Sequence, residues 1–264
     1  MLIVIRGAGD LASGIALRLY RAGCRIVMTD IAASTAVRRT VSFCEALRLG
    51  EMTVEGVRAV RAQYPEEAEK RTREGFIAVL DDPGGACIPA LRPDAVVDAI
   101  IAKINLGTHI SDAPVVIGVG PGFTAGVDCH AAVETMRGHD LGRVLYEGSP
   151  KPNTGVPGDI GGYTTERVLR APADGVFQGC LPIGARVRAG ETAAMVDGVP
   201  VPCTIDGVLR GLLADGIRVH EGMKCGDIDP RCVPEHCLTA SDKARAIGGG
   251  VLEALLHFTG RLED

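Results

Sequence analysis

Two groups of residues have the types and spacing to do chemistry. The first is Gly7, Gly9, Ala12 and Asp30 in MLIVIRGAGDLASGIALRLYRAGCRIVMTD. Gly7 permits a tight turn, Gly9 lets backbone N–H groups approach a pyrophosphate, and Ala12 stands where helix and strand pack closely. Asp30, 21 residues after Gly9, can accept both ribose hydroxyls and repel a 2′-phosphate. The helix that begins after Gly9 turns its positive end to the phosphates. The same residues also describe a Rossmann scaffold with an empty crevice. The second group, Asp98, Lys103 and Asn105, follows an apolar run. A charge inside a buried strand is costly unless paired, and Lys103 and Asn105 are the expected partners of Asp98. The trio reads as a ligand site at a strand's carboxyl end or as an ion pair that anchors a loop.

A further glycine loop contains Gly118, Gly120 and Gly122, and the spacing after it predicts a helix over 126–136 carrying Asp128, His130 and Glu134. His130 and Glu134 would share a helix face, as metal ligands, an acid–base pair or a surface hydrogen bond. Asp98, Lys103 and His130 are candidates for catalysis, with none assigned. The stretch KPNTGVPGDIGG, 151–162, suits an ordered active-site loop whose Asn153 and Thr154 offer polar contacts. The candidate binding residues are thus Gly7, Gly9, Ala12, Asp30, Asn105, Gly120, Gly122, Asn153 and Thr154.

The elements that must position these groups are read from hydrophobic pattern. Strands are expected over 2–5, 26–28, 40–43, 53–62, 76–80, 95–101 and 114–119, and helices from Leu11 to Leu19 and over 64–74. Strand, glycine turn, helix and strand in this order predict an α/β fold with a Rossmann-like, mostly parallel sheet over 1–162. Residues 163–231 carry an internal repeat: Asp174-Gly175-Val176 recurs as Asp206-Gly207-Val208, and at the same offset of 32 residues Gly184 matches Gly216 and Gly190 matches Gly222. Two such halves can close into a small β barrel-sandwich domain similar to biotinyl and lipoyl carriers. The hairpin 195–200 that would present the modified lysine has none, and Met223-Lys224 falls in the wrong place. Residues 232–264 form a glycine-rich helical tail expected to pack back on the first domain, with Ser241 as N-cap and Leu252, Leu255 and Leu256 on its apolar face. Gly248, Gly249 and Gly250 inside a helix imply close packing or a second phosphate cradle.

Composition narrows the function classes. With net charge −5, no Trp and 3% aromatics, the chain suits neither a phosphate backbone nor stacked bases, so no nucleic-acid partner is expected. No signal peptide and no membrane span are expected, which points to the cytoplasm. The 9 cysteines lack a C-x-x-C pair. Only Cys225, Cys232, His236 and Cys237 cluster, and not at the spacing of a structural zinc site, so no metal is assigned.

Taken together, VIRGAGDLASGIALRL, VDAIIAKINLGT, GVGPGFTAGVDCHAAVETMRGHDLGR, PNTGVPG, CGDIDPR and SDKARAIGGGVLEALL resemble the YqeB-like family. The resemblance covers nearly the whole chain. It implies an accessory protein of selenium-dependent molybdenum hydroxylases, acting as a maturation factor or chaperone with the apo-hydroxylase as partner. The tail is also similar to accessory proteins of xanthine dehydrogenases. The ligand would be a nucleotide, NAD or a molybdopterin dinucleotide, with a homo-oligomer as a further expectation. The alternative is an NAD-dependent oxidoreductase with Lys103 or His130 near the nicotinamide. No Tyr-x-x-x-Lys pair is present to serve it.

Overall fold

The computed structural model describes residues 1–260 and divides them into two compact units. Unit 1 contains residues 1–32, 43–154 and those from Ala240 onward; unit 2 contains 33–42 and 155–239.

Unit 1 opens with β1, Leu2–Arg6, whose five residues are all buried, followed by α1, Asp10–Arg21, and β2, Arg25–Asp30. Ile15, Ala16 and Leu19 of α1 are buried, and its N-cap is Gly9. Then come α2 (Glu45–Leu49), β3 (Glu51–Val54), β4 (Val57–Ala62), α3 (Pro65–Arg73), β5 (Ile77–Asp81), α4 (Ile88–Leu91), β6 (Ala95–Asp98), β7 (Val115–Val119), β8 (Ala131–Val133) and β9 (Val144–Leu145). They form one sheet in the order β3-β4-β5-β2-β1-β6-β7-β8-β9. The pairings from β4 through to β8 are parallel, and the edge pairs β3–β4 and β8–β9 are antiparallel. The mixed α/β sheet puts the ends of β1, β2, β5, β6, β7 and β8 on one carboxyl edge. Between β1 and β6 the strand order reverses direction, the place where such sheets open a crevice.

The last helix of unit 1, α5, runs Asp242–Thr259 and packs on α1. Ser241 caps it by accepting from the Ala244 N–H at 3.2 Å. Its buried stripe is Ala244, Ile247, Val251, Ala254 and Leu255; Leu252 and Leu256 are half-buried. A Cβ on Gly14 would stand 2.5 Å from that of Ala244, and one on Gly250 would stand 2.2 Å from the Gly142 carbonyl oxygen. Close approach therefore explains Gly248 and Gly250, while Gly249 faces open space.

Three local expectations are corrected. No helix spans 126–136. Gly126 has φ 83, Asp128 accepts from the Thr124 N–H at 2.8 Å to close a turn, and Ala131–Val133 joins β7 as a strand. The strand expected over 40–43 is a 3-10 turn, Arg39–Val41, closed by the Ser42 hydroxyl on the Arg38 carbonyl at 2.8 Å. The run 53–62 is a hairpin whose two-residue turn, Glu55 and Gly56, has φ 48 and 79, the geometry that matches strand twist.

Unit 2 contains β10 (Val168–Arg170), β11 (Gly175–Gly179), β12 (Arg186–Val187), β13 (Thr192–Val196), β14 (Val199–Pro202), β15 (Gly207–Leu212), β16 (Arg218–Val219) and β17 (Lys224–Asp229). They make two antiparallel four-stranded sheets, β10-β17-β15-β12 and β14-β13-β11-β16. Shifting by the repeat length turns the first order into the second. The bonds repeat too: Glu221 N–H to Asp174 Oδ1 and Ala189 N–H to Asp206 Oδ1 are both 2.8 Å. Likewise Gly184 N–H to Leu209 O is 2.8 Å and Gly216 N–H to Phe177 O is 2.9 Å. Residues 33–42 complete this unit: Leu212 N–H donates to Val37 O at 2.7 Å, and Arg39 Nε to Leu212 O at 2.8 Å.

Candidate functional site at the carboxyl edge of unit 1

The turn after β1 has two differently used glycines. Gly7 has φ 95, and a Cβ there would lie 2.8 Å from the Ala99 carbonyl oxygen, so its space is filled by protein backbone. Gly9 has nothing within 4 Å of its Cβ direction. It is the position in this turn that a ligand can approach, at the N-terminus of α1. Ala12, one turn in, is buried.

Asp30 ends β2 beside the turn. Its Oδ2 accepts from the Ala8 N–H and its Oδ1 from the Ile31 N–H, both at 2.8 Å. Burial raises its pKa, the two backbone bonds pull it down, and the charge of Asp81 on the neighbouring strand end adds to the rise. The carboxylate therefore holds the glycine turn in shape while keeping lone pairs for further donors.

Asp98 ends β6 and is 2% exposed, but its partner is not Lys103. Arg6 Nη1 lies 3.3 Å from its Oδ2, and the Thr108 hydroxyl donates to the same oxygen at 2.6 Å. Arg6 also donates to Thr108 Oγ1, to Leu106 O at 3.1 Å and to Pro83 O at 3.4 Å. One buried guanidinium thus ties together the loops that leave β1, β5 and β6. Lys103 is exposed, with φ 69. Asn105 closes its own turn, exchanging two 2.8 Å bonds with the Thr108 backbone, and lies 3.5 Å from Asp128.

In the second glycine loop, Gly120 has φ 87 against Thr135, and a Cβ on Gly122 would lie 2.7 Å from Ile104 Cα. Backbone fills this position as it does Gly7. His130 precedes β8 and so stands at the amino end of a strand parallel to β7, away from the carboxyl edge. Its Nδ1 accepts from the Val116 N–H at 3.0 Å, and its ring lies 5.6 Å from Phe258. Glu134, at the other end of β8, is buried and accepts from the Met136 N–H at 2.6 Å and the Lys151 N–H at 2.8 Å. The structure does not bring His130 and Glu134 together. Asn153 and Thr154 are exposed at the end of the segment 43–154.

The structure therefore gathers Gly7, Gly9, Ala12, Asp30, Asp98, Asn105, Gly120 and Gly122 along one edge and separates His130 from them. Sequence reasoning missed Arg6, although a charged residue ending a buried run just before Gly7 signals a pairing. It also missed Lys243, half-buried on the first turn of α5, whose pKa is lowered by burial and then by Arg137. No local pattern marks that lysine.

A curated relative fits this picture. The uncharacterized protein YqeB of Escherichia coli (strain K12) is 53% identical over 255 residues, 97% of this chain and 47% of the relative. That likeness supports a YqeB-like family. The chain spans about half the length of the curated relative it matches. No protein-family model matches the chain. Among solved structures, an aspartoacylase family protein from Mesorhizobium loti is 10% identical with TM-score 0.27, covering 86% of this chain and 84% of that one. A succinylglutamate desuccinylase/aspartoacylase from Rhodobacter sphaeroides is 15% identical with TM-score 0.26 over the same shares. At these scores neither likeness carries an argument about this chain.

Among the described residues no group of three or more His, Cys, Asp or Glu could hold a metal ion. Cys225 and Cys237 are buried, and burial pushes the Cys225 thiol up to about 11. No helix of the described residues is long and apolar enough to cross a membrane.

Proposed function

We propose that unit 1 binds a nucleotide at its carboxyl edge and that the protein is an accessory factor in the maturation of a selenium-dependent molybdenum hydroxylase. The observation that carries the binding half is Gly9, open at the start of α1 while Asp30 stands at the adjacent strand end. The maturation half rests on the family resemblance of the sequence motifs.

The residues fit such a ligand. Gly9 offers room for a pyrophosphate beside N–H groups of the first turn, and each oxygen of Asp30 has a lone pair left for a ribose hydroxyl. In this reading a dinucleotide form of molybdopterin is cargo presented to the apo-hydroxylase. The carboxylate of Asp30, already beside that of Asp81, disfavours a further negative group, so NAD binds in preference to NADP. The oxidoreductase alternative loses one of its two candidate groups, because His130 stands at the wrong end of its strand.

Calorimetry with both cofactors tests the proposal. NAD is expected to bind more tightly than NADP, and Asp30→Ala to weaken NAD by about 1–3 kcal/mol. Tighter NADP binding overturns the role of Asp30.

Unit 2 we infer to be a barrel-sandwich hybrid that is structural rather than a swinging-arm carrier. Its support is the exchange of sheets under the repeat, together with a hairpin turn, Asp197 and Gly198, that offers no lysine. The peptide bearing Lys224, mapped by mass spectrometry of protein from a native host, is expected at its unmodified mass; a biotinyl or lipoyl adduct on Lys224 refutes it.

A further inference from the structure

The segment that leaves β6 has a conformation its residue types do not favour. Ile101 has φ 60 and Lys103 φ 69. Positive φ is uncommon for any residue with a Cβ and worst for a β-branched one. Such outliers persist only where surrounding contacts impose them.

Here the contacts are explicit. On one side the 99–100 backbone fills the space a Cβ would take on Gly7, at 2.8 Å from Ala99 O. On the other, Ile104 backbone fills the same space at Gly122, at 2.7 Å. Ala99 N–H donates to Arg6 O at 2.8 Å and Ile100 N–H to Asp98 Oδ1 at 3.2 Å, with Asp98 itself held by Arg6 and Thr108. The base is latched, yet the span between the two glycine turns is strained. Its apolar side chains are also turned outward: Ile104 is 63% exposed and Leu106 49%.

We propose that residues 99–106 are a cocked lid over the nucleotide site, closing when ligand binds. The proposal rests on the nucleotide reading above and adds its regulation. Two driving forces act against the observed conformation, release of the positive φ at Ile101 and Lys103 and burial of Ile104. A ligand at Gly9 supplies the differential contact that tips the balance, with Lys103 carried toward its phosphate. The Arg6–Asp98–Thr108 cluster stays in place as the hinge's fixed side, while the Ala99 and Ile100 N–H bonds open as the lid moves.

The test is amide hydrogen exchange on the full chain, with and without millimolar NAD, for wild type, Ile101→Asn, Ile101→Gly and Ile101→Val. Asn and Gly accept positive φ, so both variants should stabilise the observed conformation. In the free chain they are expected to raise protection of the Ala99 and Ile100 amides at least threefold, and to weaken NAD about three- to tenfold. Ile101→Val, still β-branched, should match wild type in both. Saturating NAD should slow exchange across 101–106 in wild type. Unchanged protection in both the Asn and Gly variants overturns the lid, as does NAD binding that leaves 101–106 exchange unaltered. Absence of NAD binding by wild type overturns the nucleotide reading alone, because protection in the free variants is read without ligand.

Discussion

Both units bury arginine–aspartate pairs, and they do so in different ways. In unit 1 one carboxylate, Asp98, meets one guanidinium, Arg6, which is also stretched across three loops. Arg6 Nε has no partner among the described residues. In unit 2 two carboxylates on β17 share several arginines. Asp227 pairs with Arg167 and Arg210; Asp229 takes Arg210 at 3.4 Å and Arg231 at 2.6 Å. Removing one partner from a buried pair strands a charge, and the cost depends on who remains. The unit 2 network is redundant and sits within a sheet, which suits a scaffold. The unit 1 pair is singular and sits where loops meet, which suits a hinge.

Substitutions can break or sharpen that contrast. Arg6→Met leaves Asp98 with the Thr108 hydroxyl and the Ile100 N–H but no counter-charge, and is expected to cost about 3–5 kcal/mol. Thermal unfolding followed by circular dichroism reads this as a large fall in the midpoint. Arg167→Met leaves Asp227 bonded by Arg210 Nε at 2.8 Å and should cost about 1–2 kcal/mol. Equal losses for the two would erase the distinction between singular and redundant pairing.

A smaller effect should come from Arg231→Ala, since that side chain is 44% exposed. About 0–1 kcal/mol is expected at neutral pH. The sharper readout is acid. Burial pushes the Asp229 pKa up, but bonds from Arg231, then the charges of Arg210 and Arg231, outweigh it and hold the group at about 2 rather than 3.8. A carboxylate depressed in the folded state stabilises above its unfolded pKa, and that stability is lost as pH falls through the folded value. The window is therefore pH 4 down to 2, and Arg231→Ala should move the acid unfolding midpoint upward within it. An unmoved midpoint would assign the depression to Arg210 and the backbone N–H of residue 231, which the substitution keeps.

The sequence made the first half of unit 1 legible because one local pattern carries it. The run 2–5 pairs with β2, Gly7 donates its N–H to Thr29 O and Asp30 holds the Ala8 N–H, all within thirty residues. Ser241 was likewise readable as a cap, since its bond reaches only to Ala244. Legibility failed where partners lie far apart in the chain. Asp98 could be seen to need a cation, but Arg6 is 92 residues away, so the nearby Lys103 looked the better choice. The stretch 126–136 has helical spacing, yet the pairing of β8 with β7 and the Asp128 turn override it. The glycines show the same limit. Gly7, Gly9 and Gly122 look alike in sequence, and only the structure separates the one that faces space from the two that face backbone.

The excursion of residues 33–42 into unit 2 has a consequence for biosynthesis. Val37 offers its carbonyl to Leu212, which the ribosome makes about 175 residues later, a delay of roughly 10–35 s at about 5–20 residues per second. Until then the emerging α/β unit must fold around a loop whose own docking strand does not yet exist. Nascent chains arrested before residue 212 should therefore be cut by protease within 33–42, and chains arrested well beyond it should resist.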